Sequence, residues 1–222
     1  MIAAALAVAL AATATAVAGV TVYENDFSTR AEFREIAKSG GGKRCDRSYR
    51  KKSKAMRASV KQGPTTCSFR PPVQGDGELP NHVGRLDGKI LKSTANSVRG
   101  RAFIEISLRS GGGGVGYSLR VFPEKKRFEL IRVPDGGGPG FPAEGRGAKI
   151  KPINKRNKLR LTTAGADIVA SVNGERVASV TDNDPGQVTG RKVRFGVGSE
   201  KDSGKDVAAV FKRVSVGVVP DA

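Results

Sequence analysis

Two runs of alternating residues carry the densest set of side chains able to hold a polar ligand. In Ala102–Arg109, AFIEISLR, the residues Ala102, Ile104, Ile106 and Leu108 share one face, and Phe103, Glu105, Ser107 and Arg109 share the other. After Ser110-Gly-Gly-Gly-Gly114, the run VGYSLRVF puts Val115, Tyr117, Leu119 and Val121 together, with Ser118 and Arg120 opposite. Alternation with one apolar face is the signature of a half-buried antiparallel strand. Paired through the glycine loop, the two strands would gather Glu105, Ser107, Arg109, Ser118 and Arg120 on one polar face. Planar guanidiniums beside hydroxyls suit hydrogen bonding to the hydroxyl or carboxylate groups of a ligand. The same residues would equally serve as the wetted side of a sheet.

Other chemistry is thinner. Thr181-Asp-Asn-Asp-Pro-Gly186 gathers oxygen ligands, so Asp182 and Asp184 are candidates for calcium, which takes oxygen donors. The same residue types also build any tight turn. One His, His82, and two Cys, Cys45 and Cys67, exclude His-rich and Cys-x-x-Cys zinc sites. Neither the tetraglycine loop nor Asp135-Gly-Gly-Gly-Pro-Gly140 leads into a helix with Lys-Ser/Thr, so neither is a phosphate loop. With no Trp in the chain, Tyr117 or Phe103 would have to supply any stacking platform for a sugar ring.

The 222 residues carry a formal charge of +18, which favours anionic partners through long-range attraction. Lys43–Lys61 holds nine Lys or Arg and one Asp, and Arg146–Arg160 holds seven Lys or Arg and no acid. Aromatic residues are not interleaved with these clusters in the way single-strand binding requires, and no nucleic-acid partner is expected. Residues 2–22 carry no charge. They read as a signal peptide ending near Ala16-Val17-Ala18, as a membrane anchor of the roughly 20 residues that span a bilayer, or as a buried apolar helix. The expected division is a leader over residues 1–19 and one domain over residues 20–222. Export would place the domain outside the cytoplasm, secreted or on the outer face of the membrane. In that compartment an even pair of Cys, Cys45 and Cys67, is most simply a disulfide.

One short helix is expected where Thr29-Arg-Ala-Glu32 forms a capping box ahead of Phe33 and Ile36. Gly63–Gly88, rich in Pro and Gly, reads as loop. Strands are expected at 102–109, 115–122, 127–133, 157–163, 192–198, 206–211 and 213–219, with others near Thr21–Glu24, Met56–Val60 and Lys89–Lys92. IVASVNGERVASV (168–180) is a hairpin turning on Asn173-Gly174, because a two-residue type I′ turn needs φ > 0 at both positions. Neither face of this hairpin is purely polar, which suits a pair of strands covered on both sides. Many short strands between turns give an all-β fold, an antiparallel two-sheet jelly-roll sandwich preceded by an apolar N-terminal helix.

The order of these segments resembles concanavalin A-like lectin/glucanase jelly rolls, including laminin-G-like domains of bacterial exported proteins. VYENDFST resembles their opening strand and turn; GYSLRVFPEKKRFELIRV and NKLRLTTAGADIVASVNGERVASVTDNDPGQVTGRKVRFGVGS resemble their paired strands; AAVFKRVSVGV resembles the last strand, which pairs with the first. The resemblance covers about Tyr23 to Val218 and implies ligand binding on the concave sheet. It also makes calcium a possible ion. The glucanase members carry Glu-x-Asp-x-(x)-Glu on one strand, whereas here Glu105 is followed by Ser107 and Arg109. Retaining glycosidases need two carboxyls about 5 Å apart, so the expectation is a non-catalytic extracellular binding or sensing module for an anionic glycan or cell-wall polymer. The alternatives are a glycoside-active hydrolase of the same fold, as in 3-keto-disaccharide hydrolase-like domains, and the ectodomain of a truncated single-pass receptor tethered through residues 2–22.

Overall fold

The structure, a computed structural model, describes residues 20–61, 66–73, 81–111, 115–188, 190–200 and 206–219. Most of the apolar leader, and with it the expected N-terminal helix, lies outside these residues. Its last three residues, Val20–Val22, begin a strand. Among the described residues no helix is long and apolar enough to cross a membrane.

In chain order the elements are β1 (Val20–Asn25), α1 (Arg30–Glu35), β2 (Ala37–Lys38), β3 (Cys45–Arg50), β4 (Ala55–Val60), β5 (Thr66–Arg70) and β6 (His82–Ile90). Then come α2 (Asn96–Arg99), β7 (Ala102–Ser110), β8 (Gly116–Phe122), β9 (Arg127–Val133), β10 (Gly140–Arg146) and β11 (Asn157–Ala164). The last are β12 (Asp167–Val172), β13 (Glu175–Thr181), β14 (Lys192–Ser199) and β15 (Val207–Val218). They form two antiparallel sheets. The first runs β13-β12-β11-β6-β15-β4-β3, with β1 also on β15; the second runs β10-β9-β8-β7-β14-β5-β2. The first and last strands pair, with Val20 opposite Val218 and Asn25 opposite Val214. The expected capping box is present: the Thr29 hydroxyl accepts from the Glu32 amide, and Glu32 reaches back to the Thr29 amide.

The sheets meet through alternate residues. Ile104, Ile106 and Leu108 of β7 face Leu86 and Ile90 of β6, and all are buried. Two glycines let them approach. A Cβ on Gly84 would lie 2.7 Å from Ile106 Cδ1 and 2.9 Å from Leu108 Cδ2, and one on Gly88 would lie 2.8 Å from Phe211 Cδ1. Phe195 joins the layers, its ring centroid 5.8 Å from Phe69 and 5.2 Å, edge-on, from Phe211.

These contacts explain three departures from expectation. Gly63–Gly88 contains β5 and most of β6, because Gly84 and Gly88 are core positions chosen for closeness rather than turn residues. The strands expected at 206–211 and 213–219 are one strand, β15, whose pairing with β6 slips between Phe211 and Arg213. The hairpin has its Asn173-Gly174 turn, with φ of 53° and 88°. Its mixed faces come from a register slip rather than a cover on both sides: Ala170 pairs with Ala178 but Ser171 with Arg176, leaving Val177 as an extra residue. Ala178 is buried, and Val177 and Val180 pack against the same core.

Cys45 on β3 and Cys67 on β5 form a disulfide with Cα atoms 5.4 Å apart, joining the two sheets near one edge. The bridge closes a separation of 22 residues, which on the chain-entropy model stabilises the fold by about 3 kcal/mol. A Cys45→Ser/Cys67→Ser double variant should therefore lose about 3 kcal/mol in urea unfolding; an unchanged midpoint would mean the bridge contributes nothing.

Candidate functional site

Because Ile104, Ile106 and Leu108 point into the core, the alternate residues of β7 line the outward face of the second sheet. Across that face Glu129 of β9 lies opposite Arg120 of β8, which lies opposite Glu105 of β7. Ser118 lies opposite Ser107, with their hydroxyl oxygens 2.7 Å apart. The turn Pro123–Lys126 sets Arg127 opposite Phe122. Four of the five residues expected to share a polar face are thus brought together: Glu105, Ser107, Ser118 and Arg120.

Two guanidiniums dominate this face. Arg120 Nε donates to Glu105 Oε2 at 3.0 Å, and its guanidinium sits 4.4 Å from the centroid of the Phe103 ring. Arg127 Nη1 lies 2.6 Å from Glu129 Oε1, and its guanidinium sits 4.1 Å from the centroid of Phe122. Arg127 also donates to Glu200. The two rings touch with centroids 5.4 Å apart. Each cation therefore has a ring beneath it and a carboxylate at its edge, contacts that reinforce each other where water is scarce. The carboxylate side chains are sunk, 6% exposed for Glu105 and 5% for Glu129, while those of Arg120 and Arg127 are 28% and 26% exposed. Solvent meets the cations. Burial raises the Glu129 carboxyl above its ordinary pKa; the Arg127 and Arg120 charges oppose this and Glu200 adds to it.

Arg127, Glu129 and Phe122 were not among the expected site residues. The signal for them lay in RFELIRV, whose alternation puts Arg127 and Glu129 on one side, and in the short turn that aligns this strand with β8. Phe103 is on the expected face but lies under Arg120, and Tyr117 points into the core, so neither offers an open stacking surface.

Arg109 leaves the face. Its backbone takes φ of 47°, and the pairing of β7 with β14 slips between Ser107 and Ser110. The slip turns the side chain inward, where Nη2 donates to the Gly165 carbonyl at 2.9 Å in the β11–β12 turn and the guanidinium lies 5.8 Å from the Tyr117 centroid. Arg109 thereby ties the two sheets together. The calcium candidates also have another role. Asp182 Oδ2 accepts from Arg132 Nε at 2.6 Å and from the Tyr117 hydroxyl, and Oδ1 accepts from the Asp184 amide at 2.9 Å. The Asp184 carbonyl accepts from Arg132 Nη2. Burial works against the charged form of Asp182, yet Arg132, Tyr117 and the Asp184 amide hold its carboxyl below the ordinary range. Burial, then Asp182, pushes the Tyr117 phenol up to about 12. Among the described residues no three His, Cys, Asp or Glu side chains gather to hold a metal ion.

No family model matches the chain, and no curated protein matches it in sequence. Solved structures do. A Bacillus subtilis protein of unknown function with a galectin-like fold superposes with a TM-score of 0.64 at 13% identity, covering 92% of this chain and 98% of that one. The fold is a concanavalin A-like jelly roll. The carbohydrate binding module CBM66 from Bacillus subtilis gives a TM-score of 0.55 at 15% identity, over 82% of this chain and 95% of its own. A prokaryotic beta-1,3-1,4-glucanase (lichenase) derived from a mouse hindgut metagenome gives 0.59 at 11%, over 89% of this chain and 99% of its own. The jelly roll thus occurs both in a binding module and in an enzyme.

Beside Arg109, His82 is buried at the start of β6, and among the described residues its Nδ1 has no hydrogen-bond partner. Burial, and then the Arg109 charge, lowers its pKa to about 4. The unfolded chain binds this proton near pH 6.5 and the fold does not, so the contribution is complete above pH 6.5 and is lost as pH falls toward 4. Unfolding free energy should drop by about 2 kcal/mol between pH 7 and pH 5, and His82→Gln should flatten that slope. An identical slope in the variant would show that another group titrates.

Proposed function

We propose that this chain is a non-catalytic module that binds a carbohydrate chain on the outward face of its second sheet. One observation carries the reading: each buried carboxylate of that face, Glu105 and Glu129, is matched to a guanidinium that stands between it and solvent. The two acids lie two strands apart, about 10 Å at strand spacing, with Arg120 between them. A retaining glycosidase holds its pair at about 5 Å. Arg120 and Arg127, held over Phe103 and Phe122, suit hydrogen bonds to sugar hydroxyls or carboxylates, with little side-chain freedom left to lose on binding. The carbohydrate binding module and the glucanase among the solved neighbours support a carbohydrate ligand, and the charge of +18 supports an anionic one, such as an acidic cell-wall polymer. We also propose an exported or surface location, supported by the Cys45–Cys67 disulfide, since such bonds persist in oxidising compartments.

One observation favours a hydrolytic reading. Arg127 bridges Glu129 and Glu200, and the raised pKa of Glu129 beside a second carboxylate is the setting of a general acid. Two assays separate the readings. Affinity electrophoresis at low salt should show retardation by polygalacturonate and none by neutral dextran. The Glu105→Gln/Arg120→Gln double variant, which keeps a neutral hydrogen-bonded pair, should bind at least tenfold more weakly. Reducing-end release from the same polysaccharides should be absent; release abolished by Glu129→Gln would replace the binding reading with the hydrolytic one. Failure to bind any acidic polysaccharide at low salt would sink the choice of ligand.

A further inference from the structure

The outward face of the first sheet has its own groove, with a volume of about 450 Å³, crossing β1, β15, β6, β11 and β12. It does not share a residue with the Arg120–Arg127 face, and the apolar core separates the two. Register puts Arg85 of β6 directly opposite Arg160 of β11, with Ser215 on the other side of Arg85 and Ser171 on the other side of Arg160. One step along, Lys158 and Arg213 flank Asp87.

Four cations therefore line the groove, Arg85, Lys158, Arg160 and Arg213, against two carboxylates, Glu24 and Asp87. Glu24 accepts from one of the four, Arg213, at 2.5 Å, and Asp87 Oδ2 lies 3.9 Å from Arg156, outside the groove. Two carboxylates do not neutralise four cations. Like charges directly opposite on neighbouring strands repel and destabilise a sheet. An anion lying between them would relieve that repulsion. Consistent with that crowding, burial and then the Arg160 and Arg213 charges lower the pKa of Arg85, against the Glu24 charge, which raises it.

We infer that this groove is a second, separate binding site, which takes a phosphate group. Guanidinium forks bind phosphate oxygens in pairs, and cations and hydroxyls placed on successive strands reach oxygens that point in several directions, as a tetrahedral group presents them and a planar carboxylate does not. The groove is larger than one phosphate ion, so its fit is to a phosphodiester with a polyol or sugar on either side. The inference does not rest on the carbohydrate reading of the opposite face.

The test uses the full chain in isothermal titration at low salt with two probes, inorganic phosphate and a poly(glycerol phosphate) of defined length. The polymer should bind at least tenfold more tightly than the free ion. Arg85→Gln/Arg160→Gln should weaken it at least tenfold, while Lys51→Gln/Lys52→Gln, which removes the same charge elsewhere, should stay within about threefold of the wild type. The Arg85→Gln/Arg160→Gln variant should melt no lower than the wild type at low salt, because a repulsion has been removed; this separates loss of a site from loss of the fold. The Glu105→Gln/Arg120→Gln variant should bind the phosphate polymer normally, so failure of one site is distinguishable from failure of the other. Comparable affinity for both probes, still lost in Arg85→Gln/Arg160→Gln, would retain the phosphate site and assign it the free ion. Equal weakening by the two double variants, or no binding of either probe, would overturn the inference.

Discussion

The close approach of β6 and β7 is the contact on which the rest of the sandwich depends. A strand at the centre of one sheet gives up side chains at Gly84 and Gly88 so that Ile106, Leu108 and Phe211 can fill the space. Interiors pack to near-crystalline density, and an added methyl at such a site must displace its neighbours. The dense core takes the inward residues of both sheets. Their alternates are left to face out, and it is there that the arginines are concentrated.

Those outward faces solve the same electrostatic problem in different ways. On the second sheet, cations and carboxylates alternate across the strands, and aromatic rings support the cations from below. That array is close to neutral and rigid, so its selectivity would come from the direction of its hydrogen bonds. On the first sheet, two arginines stand side by side and the acids are too few. The field there is unbalanced, and its selectivity would come from charge. A thin β-sandwich can hold both because its apolar interior keeps the two sets of charges a full layer apart.

Much of the fold was legible in the chain because alternation reports burial directly. The strands β7, β8, β9, β11 and β14 follow their apolar stripes closely, and the capping box at Thr29 and the Asn173-Gly174 turn declare themselves through residue type. Reading failed where the local pattern and the tertiary need diverge. Glycines in β6 resemble turn residues until the neighbouring sheet is present, and the short strands β3, at an edge, and β5, one in from an edge, have little apolar periodicity of their own. The site was legible to the same degree. Glu105, Ser107, Ser118 and Arg120 follow from alternation, but Arg109 does not, since one extra residue in β7 reverses its side chain. The groove of Arg85 and Arg160 depends on pairing between strands more than seventy positions apart, which no local pattern encodes.

The disulfide sits where the sequence of strands ends in β4-β3 on one sheet and β14-β5-β2 on the other. At the far end, where β13 and β10 form the edges, the layers are joined instead by the Arg132–Asp182 ion pair with Tyr117, and by Arg109 reaching the Gly165 carbonyl. The molecule is in this sense a book with a covalent spine and an ionic clasp. On that picture thermal opening should start from the clasp, with amide exchange along β12 and β13 faster than along β4 and β5. Reduction exchanges those roles, freeing the spine while the clasp still holds.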